Sequence, residues 1–251
     1  MCDTCGCSDG EQGVRLVEFG NGNGHDHHDH PHTMLLEQKV LARNDELAAG
    51  NRAWLAEREI HAVNLMSSPG AGKTTLLERT IRGLIGEVGI SVVEGDQETL
   101  FDAERIRATG ARVIQVNTGA GCHLDANMVA TALRRLDPAF QSVVFVENVG
   151  NLVCPALFDI GEHSRVVVTS VTEGADKPVK YPHMFRTADV VLLNKIDLLP
   201  YVDFDPARFT EGVGLVRPRT EIIQVSATRG DGLDEWYGWL RTRHGRSVLS
   251  T

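Results

Sequence analysis

The stretch Ser67-Ser68-Pro69-Gly70-Ala71-Gly72-Lys73-Thr74 decides the fold of this chain. An apolar run at 61–66 precedes it, and a helical pattern at 75–81 follows it. A strand, a glycine-rich turn and a helix in this order are typical of a phosphate-binding P-loop. The first position is serine rather than the glycine of the general formula, and an ordinary strand-to-helix turn is the alternative interpretation.

The residue types in this loop suit a nucleotide phosphate with Mg²⁺. The glycines let the backbone aim its N–H groups at a phosphate, and the helix N-terminus adds partial positive charge. Lys73 would reach the β- and γ-phosphates, and the Thr74 hydroxyl would hold Mg²⁺. The predicted phosphate-binding residues are Gly70, Ala71, Gly72, Lys73, Thr74 and Thr75.

Apolar runs and helical patterns alternate through the rest of the chain. The apolar runs lie at 90–93, 112–116, 142–146, 165–171, 189–193 and 220–225. Helical patterns lie between several of them, for example at 124–136 and 233–243. This alternation predicts an α/β fold with a doubly wound, mostly parallel sheet and helices on both faces. We expect one nucleotide-binding domain over 34–251, opened by a helix over 34–58.

Residues 1–33 are expected to form a separate, disordered extension. Three cysteines open it, a segment rich in Gly and Asn follows, and the histidine tract His25–His32 comes last. A segment of this composition cannot bury a core of its own.

Composition argues against several classes of protein. The 251 residues carry a formal net charge of −9, which does not favour a nucleic-acid partner. No apolar run is long enough to span a bilayer, and the first residues lack the apolar segment of a secretory signal. The sequence therefore predicts a cytoplasmic protein with no nucleic-acid partner and no membrane association.

A second motif, Asn194-Lys195-Ile196-Asp197, indicates which base is bound. The Asp197 carboxylate can accept hydrogen bonds from guanine N1–H and the 2-amino group, which adenine lacks, and a buried carboxylate left unpaired is costly. Asn194 would brace the loop, and the stem of Lys195 would lie over the base. Ser226-Ala227 ends the next strand, where it would contact the base. The alternative interpretation of the motif is a strand-end turn.

Acidic residues end two further strands. Glu147 opens Glu147-Asn148-Val149-Gly150, and we expect it to reach Mg²⁺ through water while Gly150 offers its N–H to the γ-phosphate. Asp96 ends the second strand and is the candidate for another Mg²⁺-shell or water-orienting carboxylate. With Lys73 and Thr74, these acids form the predicted catalytic set. A capping or solvated strand-end acid is the alternative for each.

Two cysteines lie beside these loops. Cys122-His123 follows the third strand, and Cys154 lies shortly after Glu147. Thiolate and imidazole suit Zn²⁺ or Ni²⁺, and these three ligands would need water or a second subunit to complete a site. A buried, unreactive cysteine is the structural alternative.

The N-terminal cysteines predict a second metal site. Cys2, Cys5 and Cys7 supply three thiolates, and the Cys2 α-amine would be a fourth ligand if Met1 is removed. We interpret this set as a square-planar nickel site, a geometry that Ni²⁺ favours. A zinc knot or a redox-labile tail is the alternative. The histidine tract would bind divalent metals loosely or act as a solvated tail.

Taken together, the motifs resemble those of the HypB family, GTPases that help to deliver nickel to [NiFe]-hydrogenase. The matching stretches are Cys2-x-x-Cys5-Gly6-Cys7, 68–75, 117–125, 147–155, 170–178 and 194–200. They extend over nearly the whole of 34–251 and include the first cysteines.

The resemblance implies a slow, GTP-hydrolysing nickel metallochaperone of the SIMIBI class of P-loop GTPases. It implies a homodimer with Cys122, His123 and Cys154 at the subunit interface, and nickel at Cys2, Cys5 and Cys7. Implied partners are a HypA-type metallochaperone and the hydrogenase large-subunit precursor. Glu147 matches the family's own form of the acidic motif.

Two other interpretations of the sequence are a related GTPase such as UreG, which serves urease, and a nickel buffer with a vestigial nucleotide site. The cysteine-rich head and the stretch 147–154 argue against UreG. GTP turnover would argue against the buffer. No arginine finger is identifiable in the sequence, so we expect slow intrinsic hydrolysis.

Overall fold

The computed structural model describes residues 30–96, 101–119 and 121–249, with side chains from residue 39 to residue 245 in those ranges. The predicted ligands Cys2, Cys5 and Cys7 lie outside the described residues, so the N-terminal nickel site remains a prediction.

The described residues form one sheet of seven parallel strands, as the alternation of the sequence predicted. The strands are β1 His61–Ser67, β2 Ile90–Asp96, β3 Arg112–Asn117, β4 Val143–Glu147, β5 Ser164–Ser170, β6 Val190–Asn194 and β7 Glu221–Gln224. Their spatial order is β3-β2-β4-β1-β5-β6-β7. The doubly wound fold class is confirmed.

Helices precede, connect and follow the strands. They are α1 His30–Glu57, α2 Lys73–Gly83, α3 Phe101–Arg107, α4 Ala126–Leu136, α5 Cys154–Leu157, α6 Lys177–Lys180, α7 Pro182–Thr187, α8 Pro206–Val216 and α9 Leu233–Leu249. A 3-10 helix, Ile196–Tyr201, follows β6. Within the described part of the chain, no helix combines the length and the apolar character needed to cross a bilayer.

The central strands of the sheet are buried on both faces. Along β1, Val63 and Leu65 point into one core with α2 and α9, whereas Ala62 and Met66 point to clusters on the other face. Side chains that alternate between two buried faces explain why the strands appear as continuous apolar runs in the sequence. Trp236 fixes α9 to α2 by donating a 2.9 Å hydrogen bond to the Thr80 hydroxyl.

Helix α1 begins at His30 rather than at the predicted residue 34. Two buried asparagines anchor it to the body of the domain. Asn51 donates to the carbonyl oxygens of Ala126 (2.8 Å) and Ile160 (3.0 Å), and Asn44 accepts from the N–H of Ala126 (3.0 Å). These bonds hold α1 against the start of α4.

The site follows from the strand order. The chain passes from β1 to β2 on one side of β1, and the connection from β4 to β5 crosses β1 to the other side, so a crevice opens at the carboxyl ends of the strands. Open α/β sheets bind ligands at such a point. Ser67, Asp96, Glu147 and Asn194 each end a strand at this edge.

Candidate nucleotide site and metal cluster

The backbone geometry of the P-loop requires glycine at position 72. Its φ is +97°, and a Cβ there would lie 2.5 Å from Asn194 Nδ2. A side chain would therefore be strained and would collide with the base-recognition loop. Asn194 Nδ2 donates to the carbonyl oxygen of Ala71 at 2.9 Å, which joins the two loops directly.

Ser67, which departs from the general P-loop formula, holds the loop lysine. Lys73 Nζ donates a 2.7 Å hydrogen bond to Ser67 Oγ, and Ser67 Oγ donates at 2.6 Å to the carbonyl oxygen of Ser68. Burial lowers the pKa of Lys73, and the charge of Glu147 opposes that change. The ammonium group is thus placed beside the loop before any phosphate arrives.

Thr74 and Glu147 meet across the crevice. The Thr74 hydroxyl donates to Glu147 Oε1 at 2.7 Å, and Glu147 Oε2 has no hydrogen-bond partner among the described residues. A hydroxyl and a carboxylate with an unused oxygen are hard ligands that fit Mg²⁺. Asp96 lines the same cavity of about 420 Å³, so all three predicted Mg²⁺-associated residues come together.

Glu94 is a buried acid next to Glu147 to which the sequence assigned no role. It pairs in register with Glu147 across β2 and β4, and it is 2% exposed. Burial, with Glu147 and Asp96 beside it, raises the pKa of Glu94 to about 8. The sequence signal that could have indicated this acid is the motif Glu94-Gly95-Asp96 at the end of a strand.

The predicted base-recognition residues also assemble. Asn194 Oδ1 accepts from the N–H of Ala227 at 3.1 Å, and Ser226 Oγ donates to Asp197 Oδ1 at 2.6 Å. Lys195 Nζ donates to the carbonyl oxygen of Gly70 at 2.7 Å, so its stem crosses toward the P-loop. The two loops that end β6 and β7 therefore form one hydrogen-bonded unit with the phosphate loop.

The loop after Glu147 packs closely on the P-loop. A Cβ on Gly150 would lie 3.0 Å from Pro69 Cα, so only glycine fits this approach without displacement. Gly150 lines the cavity together with Lys73 and Thr74, where the sequence placed it.

The three predicted interfacial metal ligands form a compact cluster. The ligand atoms of Cys122, His123 and Cys154 all lie within 4.8 Å of one another. The two Sγ atoms are 2.8 Å apart, and Cys122 Sγ lies 3.6 Å from His123 Nδ1. The His123 ring stacks on Phe158 with centroids 3.9 Å apart, and burial lowers the pKa of His123. A neutral imidazole beside two sulfurs suits Zn²⁺ or Ni²⁺.

Asn148 connects this cluster to the nucleotide crevice. Its Oδ1 accepts from the N–H of Leu124 at 3.0 Å, and its Nδ2 donates to Asn64 Oδ1 at 3.3 Å. Asn148 follows Glu147, and Leu124 follows His123, so a single side chain joins the two loops. No sequence pattern signals this role, because the contact joins residues that are remote in the chain.

An open parallel sheet with this loop at the end of its central strand defines a P-loop nucleotide-binding protein. A family model described as "CobW/HypB/UreG, nucleotide-binding domain" matches residues 61–224. The chain belongs to the CobW/HypB/UreG family and, within it, to the HypB proteins.

Individual relatives agree with this assignment. The Hydrogenase maturation factor HypB of Escherichia coli is 55% identical over 208 residues, which cover 83% of this chain and 72% of that protein. The crystal structure of HypB from Archaeoglobus fulgidus is 41% identical with a TM-score of 0.76, over 81% of this chain and 100% of that one. The structure of HypB from Helicobacter pylori in complex with nickel is 34% identical with a TM-score of 0.76, over 81% and 96% of the two chains.

Proposed function

We propose that the chain hydrolyses GTP and couples its nucleotide state to nickel binding and delivery during [NiFe]-hydrogenase maturation. The observation that carries this proposal is the bond from Leu124 N–H to Asn148, because it links the predicted γ-phosphate loop to the metal cluster. The relative in Escherichia coli is named as a hydrogenase maturation factor, and the Helicobacter pylori HypB structure contains nickel.

The nucleotide part of the proposal rests on two sets of contacts. Asp197 would accept hydrogen bonds from guanine, and Asn194 would hold its loop against Ala71 and Ala227. Lys73 and the P-loop N–H groups would hold the phosphates. Mg²⁺, bound by Thr74 with the help of Glu147 and Asp96, would neutralise charge on the phosphates.

The metal part of the proposal is a site shared by two copies of the chain. Cys122, His123 and Cys154 supply three ligands, and a closed site needs more. Val153 and Leu157, on either side of Cys154, are 40% and 44% exposed. Exposed apolar side chains beside an incomplete metal site support a homodimer in which a second copy completes the coordination of Ni²⁺ or Zn²⁺.

The remaining parts of the proposal come from the resemblance. Cys2, Cys5 and Cys7 would bind a second nickel ion. A HypA-type metallochaperone and the hydrogenase large-subunit precursor would be the partners. The protein would work in the cytoplasm.

The direct test measures metal affinity in two nucleotide states. A variant in which Cys2, Cys5 and Cys7 are replaced by alanine isolates the cluster, and Ni²⁺ and Zn²⁺ affinities are then measured with GDP and with a non-hydrolysable GTP analogue. We expect different affinities in the two states, because binding at coupled sites is reciprocal. Analytical ultracentrifugation under the same conditions reports dimer formation. Equal affinities in both states would remove the proposed coupling.

Lys73→Ala separates the two activities. We expect it to abolish GTP turnover while nickel still binds at the N-terminal cysteines. GTP turnover by the unmodified chain also excludes the rival of a nickel buffer, which would bind metal without hydrolysis.

A further inference from the structure

Arg105 on α3 lines the nucleotide cavity, and the proposed mechanism gives it no role. Its guanidinium donates to Glu78 Oε2 at 2.6 Å and to Thr75 Oγ1 at 3.0 Å, with a longer contact to Asp102 Oδ1 at 3.3 Å. Thr75 directly follows the predicted Mg²⁺ ligand Thr74. Arg105 therefore joins α3, which follows the second strand, to the first turn of α2, which follows the P-loop.

The charges around the cavity favour a role for Arg105 in binding an anionic ligand. The described lining residues include three acids, Asp96, Asp102 and Glu147, and two bases, Lys73 and Arg105. Lys73 is held inward by Ser67. The Arg105 side chain is 42% exposed and can therefore turn toward a ligand that enters the cavity. A bound triphosphate would meet a wall with more negative than positive charge, so a second cation would lower the electrostatic cost.

Arg105 lines the same cavity as the residues expected at the γ-phosphate. Glu147 and Gly150, the predicted γ-phosphate contact, border this cavity together with the P-loop. The 3.0 Å bond to Thr75 Oγ1 holds the guanidinium at the first turn of α2, beside the residue predicted to bind Mg²⁺.

The present partner of Arg105 is exchangeable. Partly exposed ion pairs contribute little to stability. Arginine binds phosphate through two parallel charge-assisted hydrogen bonds, which are stronger than ordinary ones. A phosphate within reach can therefore compete with Glu78 for the guanidinium.

We propose that Arg105 binds the terminal phosphate of the nucleoside triphosphate in exchange for its bond to Glu78, so that α3 distinguishes the triphosphate from the diphosphate. This inference rests on the nucleotide binding in the proposed function. Asp102 and Thr75 would remain as the residues that orient the guanidinium after the exchange.

The test compares Arg105→Gln, Glu78→Gln and the control Arg107→Gln, an exposed arginine on the same helix. The affinities for GDP and for a non-hydrolysable GTP analogue are measured by calorimetry, together with single-turnover GTP hydrolysis. Arg105→Gln should weaken analogue binding and slow hydrolysis by about tenfold or more, as expected for the loss of a charge-assisted bond, with GDP affinity within about twofold of wild type. Glu78→Gln should shift the preference the other way, toward the analogue, because it removes the competitor. Arg107→Gln should behave as wild type.

A purely structural tether would give another pattern. In that case Arg105→Gln and Glu78→Gln would lower the melting temperature alike and would change the GDP and analogue affinities in the same direction, which overturns the inference. A preference for the analogue over GDP that is as large in Arg105→Gln as in the wild type overturns it as well. A wild-type chain that binds neither nucleotide would overturn the proposed function and this inference together.

Discussion

The side-chain oxygen of Asn148 accepts a 3.0 Å hydrogen bond from the backbone N–H of Leu124. Asn148 is 1% exposed and belongs to the loop that should contact the γ-phosphate, whereas Leu124 follows the metal-cluster histidine. A displacement of one loop must therefore move or break a buried bond to the other. Since an unpaired buried N–H is costly, the two loops are expected to move together.

Replacement of Asn148 by alanine is expected to uncouple the two sites. The variant leaves the N–H groups of Leu124 and Val149 without their acceptor, which should cost about 3 kcal/mol of unfolding free energy. The ratio of Ni²⁺ affinities in the GDP and GTP-analogue states should move toward one. Thr80→Val is the matched control, because it also removes a buried hydrogen bond but lies away from both sites. A control that changes the ratio equally would contradict the prediction.

Asp197→Asn is expected to change base preference. The amide cannot accept two hydrogen bonds from guanine, but its N–H can donate to the C2 carbonyl of xanthine. GTP turnover should fall by about tenfold or more, and XTP turnover should rise relative to it. Turnover with both nucleotides at matched concentrations is the measurement, and Asp203→Asn, at an exposed aspartate nearby, is the control. An unchanged ratio of the two rates would show that Asp197 does not read the base.

Substitutions at the metal cluster are expected to lower its Ni²⁺ affinity by different amounts. Cys154→Ser removes a thiolate and should lower Ni²⁺ affinity at the cluster by about 100-fold or more, whereas Phe158→Ala only loosens the His123 ring and should cost about 10-fold. Competition with a chromophoric chelator, on the background without the N-terminal cysteines, measures both. Equal affinities of Cys154→Ser and the parent would exclude Cys154 as a ligand.

Acid should destabilise the domain through the buried His61 and the half-buried His163. His61 is 3% exposed, its Nε2 lies 3.0 Å from Ser164 Oγ, and its ring lies 5.4 Å from that of His163. Burial, with His163 nearby, lowers the pKa of His61 to about 3, and burial lowers the pKa of His163 as well. The unfolded chain takes up a proton near pH 6.5, but folded His61 does not until about pH 3, so stability falls as the pH drops through this window.

The variant His61→Gln should lack the part of this acid destabilisation that comes from His61. At pH 5 the wild-type chain should lose about 2 kcal/mol through His61 relative to pH 7.5, and the variant should lose correspondingly less. Urea unfolding at the two pH values gives the comparison. An identical pH dependence in both proteins would show that His61 is not the source.

Residues 67–74 by themselves determined the phosphate loop, and the alternation of apolar runs determined the parallel sheet. Both signals are local, because a P-loop binds phosphate with the backbone of one short segment and a buried strand is apolar along its own length. The motif at residues 194–197 and the cysteines near residues 122 and 154 were visible for the same reason. These residue types indicate their chemistry even when their neighbours in space are not known.

Only the tertiary structure decided how these parts act on one another. The bond between Thr74 and Glu147, the bond between Leu124 and Asn148, and the position of Arg105 at the cavity join residues that are remote in sequence. Strand order and register bring the carboxyl ends of β1, β2 and β4 to one edge, and no local pattern specifies that pairing. The sequence therefore indicated the candidate ligands, and the packing of the sheet determined which loops share a hydrogen bond.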